Sequence, residues 1–212
     1  MIKGPFRGIG NEFRRLSQYL LFRLWETQYG FNSALEAPFD HATDGIDGEV
    51  FSCPHKASRT LDEFQARSFD FVWNFGFLQR EPSRIWKMKK ISKRYVAAFV
   101  PNYLNPGFIV HKLYHKVYGG PCLHPERGDK SLMSIDGLVG VFQQAHLQIK
   151  EVGYIDSPPW PDTVITIKQL FGVGEWSVLK IPIDVKPILL LEPIMLPKRI
   201  FAHHCYVLGA KK

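Results

Sequence analysis

Two uninterrupted apolar runs, SFDFVWNFGF at 68–77 and YVAAFVPN at 95–102, stand on either side of a short segment with helical spacing. Strands that are apolar on both faces are buried on both faces, which is typical of parallel sheets. Pro82 can begin the helix between them, with Ile85 and Met88 facing inward. The pattern predicts an α/β fold with parallel strand pairs.

Other segments continue this alternation of strands and helices. We expect a helix from Asn11 to about Tyr29 that Gly30 ends, with apolar residues at spacings of three and four: Phe13, Leu16, Leu20 and Leu24. The remaining expected elements are strands at 33–37, 149–156 and 201–212 and helices at 106–120 and 134–146. Residues 38–67 are polar, show no convincing period and are expected to form a loop.

The composition limits the compartment and the partners. A chain of 212 residues with 45% hydrophobic residues fits one domain over 1–212. Three cysteines argue against a disulfide framework, and no apolar run approaches the roughly 18 residues that span a bilayer, so we expect a cytoplasmic protein without a transmembrane segment. The net charge of +7 favours anionic partners. The basic run from Arg84 to Arg94 is either a solvated helix face or a binding patch.

Three segments of the chain resemble class I S-adenosylmethionine-dependent methyltransferases. The stretch SFDFVWNFGFLQREPSRIWKMKKISKRYVAAFVPN resembles their fourth strand, helix and fifth strand, and FAHHCYVLGAKK is similar to their last, antiparallel strand. SALEAPFDHATDGIDG looks like a variant of their first-strand motif, with Ala37–Pro38 where glycines are usual. The resemblance implies a Rossmann-like, mostly parallel sheet with flanking helices, here with a helical cap inserted at 103–131.

The stretch between the first and fourth strands is short for this family. In class I methyltransferases this stretch contains three crossovers and two further strands, which together need at least about 40 residues. Residues 38–68 provide 31. We therefore expect a truncated fold that lacks at least one strand–helix unit. The acid that contacts a cofactor ribose about 20 residues after the loop is also missing at 56–59, although Asp62 and Glu63 follow soon after.

The resemblance implies a cofactor site at the edge of the sheet where the parallel strands end, since ligands of open α/β sheets bind there. The residues implied to bind S-adenosylmethionine are Glu36, Ala37, Pro38, Asp40, Thr43, Asp44, Gly45, Asn74 and Gly76. As catalytic residues, Asn74 would orient a nucleophile and Phe75 would shield the sulfonium through a cation–π contact. The alternatives are a plain polar loop after Glu36 and an ordinary strand end with a turn glycine at Gly76.

Further candidates lie in the cap and beyond it. His111 and His115 are one helical turn apart and, as catalytic candidates, would face a substrate together with Tyr114. Zinc-ligand types also occur here at compact spacing that matches no standard structural module: His111, His115, Cys122 and His124. Trp160, held between prolines, would either stack on a substrate or close the core.

The resemblance makes methyl transfer from S-adenosylmethionine to an unidentified acceptor, which could be a small molecule, the leading function. The alternative is an inactive pseudo-methyltransferase that serves as a binding or assembly subunit, which the short 38–67 stretch and the glycine-poor loop favour. A protein partner or a second copy of the chain could complete the pocket. A nucleic-acid-binding module rests on the basic charge alone and ranks last.

Overall fold

The computed structural model describes residues 20–37, 55–57, 61–76, 78–106, 128–155 and 198–212. The strands in these segments are β1 (Ala34–Glu36), β2 (His55–Ala57), β3 (Phe69–Phe75), β4 (Ser92–Pro101), β5 (Leu147–Ile155) and β6 (His204–Lys211). The helices are α1 (described over 20–29), α2 (Arg84–Ile91), α3 (Ile135–Gln144) and α4 (Lys198–Phe201), with short 3-10 helices at Leu61–Glu63 and Lys130–Leu132. Within these segments, no helix has both the length and the apolar content needed to cross a bilayer.

The strands form one sheet in the order β2-β1-β3-β4-β6-β5. The pairs β1–β2, β1–β3 and β3–β4 are parallel, whereas β6 is antiparallel to both β4 and β5. All strands except β6 therefore run in the same direction. Their carboxyl ends meet along one edge, which we call the carboxyl edge, and their amino ends meet along the opposite amino edge. This arrangement confirms the expected parallel pairs and the antiparallel last strand.

Each face of the sheet is covered by helices. On one face α2 contributes Ile85, Met88 and Ile91, and α3 contributes Leu138 and Phe142, to a core that includes the inward residues of the central strands. On the other face α1 packs its large rings against the aromatic residues of β3 and β4, which form one cluster: Phe22, Trp25, Phe71, Trp73 and Phe99. Helices thus pack on both faces of the sheet.

The predicted buried face of α1 is wrong. Leu20 and Leu24 are 49% and 55% exposed, whereas Phe22 and Trp25 are fully buried. An aromatic ring buries more area than a leucine side chain, and it pairs favourably with other rings. The aromatic surface of β3 and β4 therefore selects the face of α1 that carries rings. Gly30 ends this helix as expected, with φ +58° and its N–H donating to the Glu26 carbonyl at 3.0 Å.

The expectation that residues 38–67 form only a loop is also wrong. The strand β2 lies within this stretch and pairs in parallel with β1, with Leu35 opposite Lys56. Three residues at the end of a sheet are held mainly by backbone hydrogen bonds, so they need no apolar alternation that a sequence pattern could reveal.

The other expected elements within the described segments are confirmed, with boundaries that differ by a few residues. The strand expected at 95–102 is β4, which begins at Ser92, and the helix expected at 134–146 is α3. The helix expected at 106–120, and residues 107–127 of the expected cap, lie outside the described residues.

Candidate ligand site at the carboxyl edge

A topological switch point lies between β1 and β3. The connection from β1 leads to β2 on one side, and the connection from β3 leads to β4 on the other side. In open α/β sheets, connections that diverge from adjacent strands leave a crevice at the carboxyl edge, and ligands bind in it. The residues that end these two strands, Glu36 and Ala37 on β1 and 74–76 on β3, flank this crevice.

Asn74 joins the two strand ends. Its side chain is fully buried, and its amide nitrogen donates a hydrogen bond to the carbonyl of Ala37. The Ala37 N–H in turn donates to the carbonyl of Trp73 at 2.8 Å. The Asn74 Oδ1 has no hydrogen-bond partner among the residues that the structure describes. Since an unsatisfied buried acceptor costs about 1–3 kcal/mol, this oxygen is suited to a donor that arrives with a ligand.

Glu36 and Gly76 belong to the same two strand ends. Glu36 ends β1, opposite Trp73 in the register, and is only 2% exposed. Gly76 has φ +79°, a conformation that residues other than glycine adopt with strain, and a Cβ built on it would meet no atom of the described residues within 4 Å. Its N–H donates to the Phe99 carbonyl at 2.7 Å, which fixes the turn.

Three rings, those of Phe75, Phe99 and His204, form a cluster at the carboxyl edge on the β4 side of the switch point, which we call the aromatic wall. The half-buried Phe75 ring lies 4.6 Å from the His204 ring and 5.4 Å from the Phe99 ring, measured between centroids. His204 begins β6 opposite both Pro101 and Ile155. It is not among the predicted site residues, although the antiparallel last strand expected from FAHHCYVLGAKK already puts the amino end of β6 at this edge.

The thiol next to His204 is chemically quiet. Cys205 is fully buried, and desolvation raises the pKa of its thiol to about 12. A thiol becomes a nucleophile as a thiolate, so Cys205 contributes packing rather than reactivity.

Asn102 at the end of β4 has a structural role. Its amide nitrogen donates to the carbonyls of Arg199 at 2.9 Å and Ala202 at 2.8 Å. Its Oδ1 accepts from the Leu104 N–H at 3.2 Å. Because donors and acceptor are all used within the chain, this amide fixes α4 to the end of β4.

The fold brings together five of the residues expected to form the site: Glu36, Ala37, Asn74, Phe75 and Gly76. The other candidates lie outside the described residues and stay predictions: Pro38, Asp40, Thr43, Asp44, Gly45, His111, Tyr114, His115, Cys122, His124 and Trp160. In the part of the chain that is described, no group of His, Cys, Asp and Glu is placed to hold a metal ion. Asp62, considered for the ribose, instead pairs with Lys87 at 2.9 Å.

Comparison with known proteins gives structural likeness without sequence likeness. No family model and no curated protein matches the chain. A methyltransferase from Thermotoga maritima that uses S-adenosylmethionine, described as a possible histamine N-methyltransferase, is similar at TM-score 0.53 and 12% identity, over 96% of this chain and 92% of that one. The chain has the class I methyltransferase fold.

A second structure supports the same conclusion about the fold. The magnesium protoporphyrin IX methyltransferase from Synechocystis PCC 6803, solved with bound S-adenosylhomocysteine, is similar at TM-score 0.50 and 8% identity, over 100% of this chain and 90% of that one. At identities this low the likeness concerns the fold, and the function has to be argued from the site.

Proposed function

We propose that the protein transfers a methyl group from S-adenosylmethionine to an acceptor at the carboxyl edge of the sheet. The observation that carries the proposal is Asn74, a fully buried amide that donates to the Ala37 carbonyl across the switch point and whose own oxygen has no partner among the described residues. Two solved structures that are similar to this chain in fold are methyltransferases, one described as dependent on S-adenosylmethionine and the other solved with bound S-adenosylhomocysteine. Neither fact names the acceptor, which could be a small molecule.

The residues at the switch point fit such a cofactor. The Asn74 Oδ1 can accept a hydrogen bond from an N–H or O–H group of the nucleoside or amino acid part of S-adenosylmethionine. Glu36 lies at the end of the neighbouring strand β1. Gly76 has no side chain, and a Cβ there would meet none of the described residues within 4 Å, so the site leaves room for close approach of the cofactor. When bound, the cofactor supplies a methyl group on a positively charged sulfur. The expected loop residues Pro38, Asp40, Thr43, Asp44 and Gly45 would complete the cradle.

For the transfer, this chain has to position the reactants and exclude water. Orientation alone can supply about 7–11 kcal/mol of a barrier, so no dedicated base is obligatory. Phe75, backed by Phe99 and His204, offers an apolar wall, and its ring face suits a neighbouring cation. On the acceptor side we propose His111 and His115 with Tyr114 and Trp160.

We further propose that the fold is shortened next to β2. The connection from β2 to β3 consists of residues 58–68, and its described part, 61–68, contains one 3-10 helix and turns. A parallel crossover alone needs at least about 10–12 residues, so this connection has no room for another strand. A protein partner or a second copy of the chain could cover the side of the pocket that such a unit would form.

Calorimetric titration with S-adenosylmethionine and S-adenosylhomocysteine tests the proposal. We expect micromolar binding that Asn74→Ala weakens by roughly tenfold or more, because a ligand donor would lose its buried partner. Asp40→Ala tests the loop in the same way. Asn102→Ala is the matched control: it removes an equally buried amide, so it should lower stability without lowering the affinity of the folded protein.

Either of two results would contradict the proposal. Folded wild-type protein that gives no binding heat with either ligand would exclude an independent methyltransferase and favour the inactive binding subunit. Equal affinity losses in Asn74→Ala and Asn102→Ala would show that the effect comes from the general integrity of the carboxyl edge.

A further inference from the structure

A group of cations lies at the amino edge of the sheet, far from the proposed methyl-transfer site. The group comes from the turn before β3, the end of α2, the start of β4 and the end of β6. We call it the basic amino edge, and its members are Arg67, Lys89, Lys90, Arg94 and Lys211. The ten residues of β4 span about 30 Å between this edge and the carboxyl edge.

Several of these cations are fixed by carbonyl groups rather than by carboxylates. The Lys89 Nζ donates to the Ala145 carbonyl at 2.7 Å, and the Lys211 Nζ donates to the carbonyls of Lys89 and Ser92 at 3.1 and 2.8 Å. The Arg94 guanidinium donates to the Gly30 carbonyl at 2.9 Å. A carbonyl has no net charge, so it holds the cation in place without neutralising it.

The contrast with neighbouring lysines is clear. Lys87 pairs with Asp62 at 2.9 Å and Lys93 pairs with Asp70 at 3.6 Å. Within the described segments, none of the five members of the basic amino edge has a carboxylate at ion-pair distance. The pKa of Lys211 is lowered, first by desolvation and then by the charges of Arg67 and Lys89. Lys211 is therefore close enough to Arg67 and Lys89 for their charges to repel it, and a bound anion would relieve that repulsion.

An exposed tryptophan accompanies the charges. Trp86 is 47% exposed on the outward side of α2, opposite the buried Ile85 and Met88. The Lys89 Nζ lies 5.7 Å from its ring centroid, and the ring of His146 lies 6.0 Å away at its edge. The indole is thus held by neighbours yet keeps about half of its surface in water.

We infer that the basic amino edge and Trp86 bind single-stranded nucleic acid. Phosphates match cations that keep their charge, and an exposed indole matches the face of an unstacked base. In a duplex the base faces are covered, and a membrane surface needs more exposed apolar side chains than this lysine-rich face of α2 presents. The net charge alone gives little support for nucleic-acid binding. The cations held by carbonyls and the exposed ring of Trp86 add the support that the net charge lacks. The inference does not depend on methyl transfer.

Fluorescence anisotropy with labelled oligouridylate and oligodeoxythymidylate of about 20 nucleotides tests the inference on the full chain, with a site size expected within about 4–16 nucleotides. Affinity should fall between about 50 and 200 mM salt, and each phosphate contact should add about 0.7 to the logarithmic slope. Lys90→Gln should reduce that slope by about 0.7. Trp86→Ala should weaken binding about tenfold without changing the slope, and Trp86→Phe should restore most of the loss because it keeps a ring.

A second pair of cation and ring provides the control. At the carboxyl edge the Lys130 Nζ lies 5.5 Å from the ring centroid of Tyr103, which is 49% exposed. Lys130→Gln and Tyr103→Ala repeat the same chemical changes there and should leave the affinity and its salt slope unchanged. Urea unfolding of each variant shows that it remains folded.

Four results would overturn the inference. These are the absence of salt-dependent binding to both oligonucleotides, an equal loss in the Tyr103→Ala control, duplex binding as tight as single-strand binding with no effect of Trp86→Ala, and Trp86-dependent binding to phosphatidylserine vesicles without binding to oligonucleotides. The last result would assign the surface to a membrane.

Discussion

Two asparagines at the ends of neighbouring strands, Asn74 and Asn102, are almost completely buried, at 0% and 1% exposure. Asn102 donates to two carbonyls and accepts from one N–H, all within the chain. Asn74 donates to the Ala37 carbonyl, and its oxygen has no partner in the described segments. The two asparagines therefore have different roles. Asn102 holds the chain after β4 in place, whereas Asn74 at the end of β3 is a candidate ligand contact, because only its oxygen lacks a partner in the described segments.

Substitutions at two glycines distinguish the effect of backbone strain from the loss of a ligand contact. Gly76 and Gly30 have φ values of +79° and +58°, and a Cβ on either would meet none of the described residues within 4 Å. An alanine in this left-handed conformation costs about 1–2 kcal/mol. Gly76→Ala and Gly30→Ala should therefore lower the free energy of unfolding by similar amounts in urea titrations. In calorimetry, Gly76→Ala alone should weaken the binding of S-adenosylhomocysteine, since Gly76 borders the switch point. Unchanged affinity in that variant would remove Gly76 from the site.

Helix α3 contains a second informative pair of glycines. A Cβ on Gly137 would lie 1.9 Å from the Ser131 carbonyl oxygen, whereas a Cβ on Gly140 would meet no atom within 4 Å in the described part of the chain. The Gly137 N–H donates to the Ser134 hydroxyl at 3.1 Å, so the first turn is held close to the preceding 3-10 helix. Gly137→Ala should destabilise the protein by about 1–3 kcal/mol. Gly140→Ala should stabilise it by about 0.5–1 kcal/mol. Thermal unfolding compares the two, and a Gly137→Ala variant as stable as Gly140→Ala would refute the close packing.

How far an element can be predicted from the sequence depends on what holds it in place. β3, α2 and β4 are predictable because their apolar residues form the core. β2 is not, because a three-residue strand at the end of the sheet is held through its backbone. The helix expected from Asn11 to about Tyr29 is confirmed over its described part, 20–29, but its buried face differs, since the spacing of leucines says nothing about the rings of β3 that select Phe22 and Trp25.

The candidate site follows the same rule. Glu36, Asn74 and Gly76 are predictable because they end buried strands whose order puts them at a switch point. His204 depends on the pairing of β6 with β4: the resemblance gives the antiparallel direction of this strand, but the contact between His204 and Phe75 becomes visible only in the fold. The role of Trp86 likewise depends on its exposure in the fold, since tryptophans in helices are more often buried.

At the scale of the whole molecule, the two edges of the sheet have opposite character. The carboxyl edge holds buried polar groups, Glu36 and Asn74, beside the aromatic wall, which suits a ligand that is enclosed. The amino edge holds cations fixed to carbonyls, the exposed Arg94 and the partly buried Lys89 among them, which suits a polyanion that stays in solvent. Because β4 separates them by about 30 Å, substitutions at one edge should leave binding at the other unchanged.

The molecule as a whole should lose stability at alkaline pH. The Tyr206 hydroxyl donates to the Glu151 carboxylate at 2.7 Å, and the Trp25 indole donates to the other oxygen at 3.0 Å, so this network ties α1 to β5 and β6. Burial, followed by the bond to Glu151, raises the pKa of Tyr206 well above 10.0, and burial raises the pKa of Cys205 from 9.0 to about 12. Both groups keep their protons in the folded state at pH values where the unfolded chain loses them.

The sign of the effect follows from these proton counts. The stabilisation by the protonated groups is fully present below the pKa values of the unfolded chain. It is lost as the pH rises from those values towards the higher pKa values of the folded protein. In this range each group lowers the free energy of unfolding by about 1.4 kcal/mol per pH unit. Urea unfolding between about pH 8 and 11 should show this decline. Cys205→Ala should remove one group's share of the slope, and Tyr206→Phe should do the same while also lowering stability at pH 8, because Glu151 loses a donor. If both variants kept the wild-type slope, other groups would control the alkaline decline.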